Sequence, residues 1–150
     1  MSIRINLYFK SYPDLELIEQ NIALAHTRVF ADVEFVEKDG VWSNFRPAIL
    51  DTGSPVSLIP LEIWERCPVR ITGKTTIGGL VRRNECRLDV LVGTLALRFR
   101  DQKYVSDQFS ALAYLATINT VPLIIGFESL LKQADICLSF ARNVAYLNFP

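Results

Sequence analysis

Alternation with a period of two constrains this chain more than any other feature. Ile3, Ile5, Leu7 and Phe9 alternate with Arg4, Asn6, Tyr8 and Lys10, and Val29, Ala31, Val33 and Phe35 face away from Asp32 and Glu34. Cys86, Leu88, Val90 and Val92 alternate with Arg87, Asp89 and Leu91, and Leu95, Leu97 and Phe99 continue the pattern. Successive strand side chains point to opposite faces, so each run reads as a strand with one buried face. Lys38-Asp39-Gly40 predicts a turn joining strands over 28–37 and 41–50 into a hairpin. A second hairpin is expected over Thr75 to Val92, bending between Gly78 and Asn84. Gly93-Thr94 is expected to turn the chain again, Asp101 to Lys103 to form a polar turn, and Val105 to Leu115 to be a strand. A last hairpin joins 136–140 to 144–149 across Ala141 to Asn143.

Helical signals are few. Pro60 to Arg66 suits a turn or two carrying Ile63 and Trp64 inward, with Pro60 near the first helical position. Phe127, Leu130, Leu131 and Ala134 fall at i, i+3, i+4 and i+7, the spacing of a short amphipathic helix. Residues from Ser11 to Gln20, with Leu15, Ile18 and Ile22 at helical spacing, fit a short helix, although Pro13 fits a loop equally well. The expected fold class is therefore all-β, with one or two short helices. At 150 residues one domain with one sizeable core is feasible.

Sixteen basic and sixteen acidic residues give a formal net charge of zero, so no global field favours nucleic acid or an acidic membrane surface. Cys67, Cys86 and Cys137 are odd in number and widely spaced, and His26 is the single histidine. That pattern predicts buried free thiols and neither a zinc site nor a disulfide framework. The N-terminus alternates where a signal peptide would be continuously apolar, and no run approaches about 18 apolar residues. A soluble, cytoplasmic protein without metal or cofactor is the expectation, and Met1 suggests a chain initiated on its own. There is no phosphate loop, dinucleotide fingerprint or Gly-x-Ser-x-Gly. His26 is expected to be structural or on the surface, Trp42 and Trp64 to be core or interface anchors, and Arg82, Arg83 and Arg87 to lie on a solvated face.

One stretch stands apart. Ile49 and Leu50 read as the end of a buried strand that delivers a carboxylate, Asp51, to a turn containing Thr52, Gly53 and Ser54. A carboxylate at the end of an apolar strand is costly unless hydrogen-bonded or used, which makes it a candidate for chemistry. An ordinary β-turn would read the same way.

Leu50-Asp51-Thr52-Gly53-Ser54 followed by Leu123-Ile124-Ile125-Gly126 resembles the retropepsin-type aspartic proteases, from about Arg28 to Phe149. The resemblance implies an acid-protease-like barrel formed by residues 28–150, with residues 1–27 as an N-terminal strand and extension. It implies Asp51 as the catalytic aspartate, Thr52 as the threonine bracing the active-site loops and Gly53 as a glycine lining the site. Ser54, Ile125 and Gly126 would support the loop. Thr75 to Val92 would be the flap, placing Ile77, Gly78, Gly79 and Leu80 against a peptide or protein substrate. Two departures are visible: Pro55 stands where retroviral members often carry Asp, and Phe127 where they carry Arg. Both members of that ion pair are missing together.

Hydrolysis by this route needs two carboxylates sharing one proton and one water. Like charges that close cannot both ionise, aspartic proteases being the standard instance. The chain holds one Asp-Thr-Gly and no second Asp-(Thr/Ser)-Gly, so the second carboxylate would come from a two-fold copy. The first and last strands are then plausible interface strands. The alternative is a catalytically inactive dimer of the same fold that binds extended peptides as an added strand. A third reading is a structural β-barrel with an incidental turn.

Overall fold

The computed structural model describes residues 1–78 and 87–150. The described residues form the strands β1 (Ile3–Asn6), β2 (Tyr8–Pro13), β3 (Ala25–Phe35), β4 (Arg46–Leu50), β5 (Ser57–Ile59), β6 (Arg70–Ile77), β7 (Leu88–Arg100), β8 (Phe109–Ala116), β9 (Ile124–Ile125), β10 (Asp135–Ser139) and β11 (Val144–Phe149). The strand expected over 41–50 begins only at Arg46, the expected hairpin strand at Thr75 starts earlier, at Arg70, and β5 was not expected. Two single-turn helices, α1 (Leu15–Ile18) and α2 (Leu61–Trp64), join them. Eight strands lie in the order β2-β3-β4-β9-β5-β8-β7-β6, and β3 also pairs with β7, so the strands from β3 round to β7 close on themselves. The other sheet is β1-β11-β10.

The apolar face of each run fills the interior. Val33, Phe35, Leu97, Phe99, Leu115 and Ile125 are wholly buried, each such side chain contributing roughly 1.5–3 kcal/mol by leaving water. The smaller sheet packs on the same core through Ile5, Leu147 and Phe149, with the Phe149 ring 5.5 Å from Phe99 and 5.0 Å from Phe109. Among the described residues no helix is long and apolar enough to cross a membrane.

Several expectations change. The run from Ile3 to Phe9 is two strands in different sheets. The chain switches at Leu7, whose N–H donates to the Ala145 carbonyl at 2.9 Å. Periodicity does not register the switch because Ile5 and Leu7 still face the core. β1 pairs with β11 of its own chain, and β11 has β10 on its other edge. The first and last strands thus meet each other without a second copy, and no element boundary falls at position 27, since β3 runs from Ala25 to Phe35.

Gly93-Thr94 is not a turn, since β7 passes straight through it. A Cβ at Gly93 would lie 2.8 Å from the Arg70 carbonyl oxygen and 3.1 Å from Leu115. The glycine permits close approach beside the register shift between Ile71 and Gly73, a usual role for glycine within a strand. The helix expected over Phe127 to Ala134 shrinks to a 3-10 turn at Leu131–Gln133. Ser129, at φ 67°, breaks helical geometry first. Leu130 and Leu131 are still buried, while Phe127 is exposed. The helix after Pro13 is a single turn and buries none of its residues.

The outer face of β3 carries an unexpected ion cluster. Glu34, only 4% exposed, accepts from Arg98 Nε and Arg100 Nη1, both at 2.6 Å. Arg98 lies 4.0 Å over the Trp42 ring and Arg100 5.3 Å over Phe45. Glu34 and Arg98 are register partners on the β3–β7 seam that closes the ring of strands. Trp64 donates its indole N–H to the Ala116 carbonyl at 2.7 Å, and His26 pairs with Asp14 at 2.9 Å. Cys67 is a buried free thiol, pushed up to about 11 by burial and then by the nearby Glu37 carboxylate. Cys137 is free and only half-buried, against expectation, and Cys86 falls outside the described residues.

Candidate active site

Asp51 directly follows β4, which runs parallel to β9, with Ile49 beside Ile124 and Leu50 beside Ile125. That ladder fixes the aspartate's backbone. The Asp51 N–H donates to the Ile125 carbonyl at 3.0 Å, and the Ile49 N–H to Leu123 at 2.9 Å. Beyond Asp51 the chain reverses. The Gly53 N–H donates to Asp51 Oδ1 at 2.9 Å, the Ser54 N–H to the Asp51 carbonyl at 3.1 Å, and Ser54 Oγ to the Val56 carbonyl at 2.8 Å. The turn therefore aims one half-buried carboxylate outward and pins one of its oxygens.

Gly126 is the second fixed point. A Cβ there would lie 2.6 Å from the Val56 carbonyl carbon and 2.8 Å from the Ser54 oxygen, closer than real side chains come, so only glycine lets the segment after β9 lie against the Asp51 turn. Across this contact Phe127 N–H donates to the Ser54 carbonyl and Glu128 N–H to the Pro55 carbonyl, both at 2.9 Å. The Gly126 N–H donates to Ser57 Oγ at 2.9 Å. The two segments are thus joined through backbone where a side-chain ion pair at positions 55 and 127 is missing. Glu128 instead pairs with Lys132.

Sequence reasoning missed Ser57, which is fully buried. A hydroxyl inside the apolar run from Val56 to Pro60 was the available signal, because a buried hydroxyl needs a partner.

A cavity of about 540 Å³ opens over the carboxylate, lined by Asp51 and Thr52, by Thr27 and Arg28 of β3, and by Ile124 and Leu138 among others. Asp51 is its single acidic lining residue among the described residues, and Arg28 its cation. Sequence reading did not single out Thr27, Arg28 or Leu138, which lie far from Asp51 along the chain: antiparallel pairing of β3 with β4 brings Thr27 and Arg28, and Leu138 comes from β10 of the smaller sheet. Thr52 and Gly53 are exposed, and the Thr52 hydroxyl has no hydrogen-bond partner among the described residues.

A second cavity, of about 310 Å³, lies between Ser54, Val56 and Ile124 on one side and Ile77 and Gly78 on the other. Asp51 and Thr52 line the first cavity, Ser54, Ile77 and Gly78 the second, and Ile124 lines both; Ile125 and Gly126 meet the Asp51 turn through backbone. Gly79 and Leu80 fall outside the described residues. Among the described residues no group of His, Cys, Asp or Glu is placed to hold a metal ion.

One carboxylate can accept a proton from a water or donate one to a carbonyl, but not both in the same step. Chemistry that needs both roles needs a second group brought to the exposed Thr52-Gly53 side. No protein-family model matches this chain, and no curated protein matches it in sequence.

Proposed function

We propose that this chain is a retropepsin-like aspartic endopeptidase, active as a homodimer in which two Asp51 carboxylates share one water and one proton. The observation that carries this reading is the joint placement of Asp51 and Gly126. A parallel β4–β9 ladder holds the aspartate's backbone, a Cβ-free contact locks the neighbouring segment against its turn, and Asp51 lines a cavity of about 540 Å³. In the proposed reaction the ionised Asp51 takes a proton from the attacking water, while the protonated Asp51 of the other chain donates to the scissile carbonyl oxygen. The β6–β7 hairpin, whose Ile77 and Gly78 face Ser54 and Ile124 across the smaller cavity, acts as the flap that excludes bulk water.

A peptide carrying a non-hydrolysable hydroxyl at the scissile position tests this, because it presents a tetrahedral centre to the paired carboxylates. The expected result is binding at least about 100-fold tighter than the matched amide, with proton uptake or release measured by calorimetry in buffers of different ionisation enthalpy. Equal affinity for the two, with no linked proton, contradicts hydrolysis and leaves a peptide-binding module.

A further inference from the structure

We propose that the hairpin formed by β2, α1 and the start of β3 is a dimerisation arm whose apolar face is covered by a second copy of this chain. The proposal rests on the dimeric reading of Asp51.

The arm is ordered but buries almost nothing. Asp14 caps α1 by accepting from the Leu17 N–H at 3.1 Å, and its other oxygen meets His26 at 2.9 Å. Ser11 and Thr27 join their hydroxyls at 2.7 Å across the two strands. The Asp14 N–H donates to Leu24, and the Ile22 N–H to Leu17, both at 2.8 Å. Yet Leu15 is 70% exposed, and Tyr12, Ile18, Ile22 and Leu24 are each between 46% and 48% exposed. Tyr12 packs edge-on against Phe30 at 6.5 Å between ring centroids, but Leu15, Ile18, Ile22 and Leu24 take no part in the core of their own chain, and exposed apolar side chains gathered on one short segment mark a contact surface.

Its position selects the occupant. β3 pairs with β4 only as far as Val29 beside Leu50. The arm therefore leaves the barrel level with Asp51, with residues 25–28 paired to β2 alone. Thr27 and Arg28 at its root line the Asp51 cavity, and so does Leu138 from β10. Leu138, Phe140 and Val144 of the β10–β11 hairpin are exposed as well, and Phe140 touches Phe9 of β2 at 4.8 Å between ring centroids. Two apolar hairpins thus border the cavity that a second Asp51 has to reach. A copy docked closely enough to pair carboxylates about a two-fold axis meets these hairpins, and symmetry applies each contact twice.

The test is sedimentation of the full chain over a concentration series, comparing wild type with the Leu15→Ser, Ile18→Ser double variant. The control is Val41→Ser, an apolar position on the β3–β4 connection whose exposure lies between those of Leu15 and Ile18. Wild type is expected to dimerise, the double variant to raise the dimer dissociation constant by about 100-fold or more, and Val41→Ser to leave it unchanged. Circular dichroism, and the urea midpoint taken at chain concentrations low enough for every sample to be monomeric, should stay at wild-type values in both variants, because Leu15, Ile18 and Val41 lie outside the core of the monomer. A wild type that is monomeric throughout, an unchanged constant in the double variant, or equal weakening by Val41→Ser each overturns the arm assignment. Sedimentation needs no turnover, so a wild-type dimer that cleaves nothing would remove the protease reading and leave the arm standing. An active dimer indifferent to the double variant would do the reverse.

Discussion

Asp51→Asn is expected to abolish peptide hydrolysis, lowering the rate by at least about 10²–10⁴-fold, the range contributed by a positioned general acid or base. Asparagine retains an Oδ1 to accept from the Gly53 N–H, and the backbone bond to Ile125 involves no side chain, so the turn and the thermal midpoint should be unaffected. The variant also reads out the second chain. Mixed in equal amounts with wild type, it leaves about one quarter of dimers with two aspartates, so the rate per wild-type chain falls to about half. Near-wild-type activity in the pure variant would remove Asp51 from the chemistry. An undiminished rate on mixing would mean that one aspartate suffices.

Glu34→Ala is expected to have the largest effect on stability, about 3 kcal/mol, because removing one member of a buried ion cluster leaves its partners uncompensated. The lower end of the usual range applies, since Arg98 and Arg100 are 25% and 35% exposed at their side chains and can turn toward water. The loss should fall on the β3–β7 seam. Amide exchange at Val33 and Phe35 should accelerate along with the shift in urea midpoint, while Glu34→Gln, which keeps the shape, should lose less. A change under about 1 kcal/mol would show that Trp42 and Phe45 hold the arginines without the carboxylate.

Glu34 also shows where sequence reasoning stops. Alternation correctly set Asp32 and Glu34 on the face opposite Val33 and Phe35, but it carries no information about what covers that face. The cover consists of Arg98 and Arg100, brought by long-range pairing, and of Trp42 and Phe45 on the β3–β4 connection. The same limit explains Ile3 to Phe9, where a period of two continues through a change of sheet. Gly93 fits a turn in sequence because glycine marks both bends and close approaches, and only the neighbouring backbone of Arg70 distinguishes them. Hairpins with local turn chemistry were legible: Gly40 takes φ 79° and Asn143 φ 52° where turns were expected.

The candidate site divides in the same way. Residues from Leu50 to Ser54 and the Ile125-Gly126 pair were legible as motifs, and the structure joins them. Ser57, Thr27, Arg28 and Leu138 were not, because their roles come from long-range contacts: Ser57 accepts from the Gly126 N–H, Thr27 and Arg28 arrive through antiparallel pairing of β3 with β4, and Leu138 arrives from the smaller sheet.

In the proposed mechanism one chain carries half of a catalytic pair. Initial rate measured on one peptide substrate across a dilution series, with sedimentation run on the same samples, tests it most directly. Below the dimer dissociation constant the rate should rise with about the square of total chain concentration, becoming linear once the dimer predominates. A rate strictly proportional to concentration throughout the range where sedimentation finds single chains would contradict it.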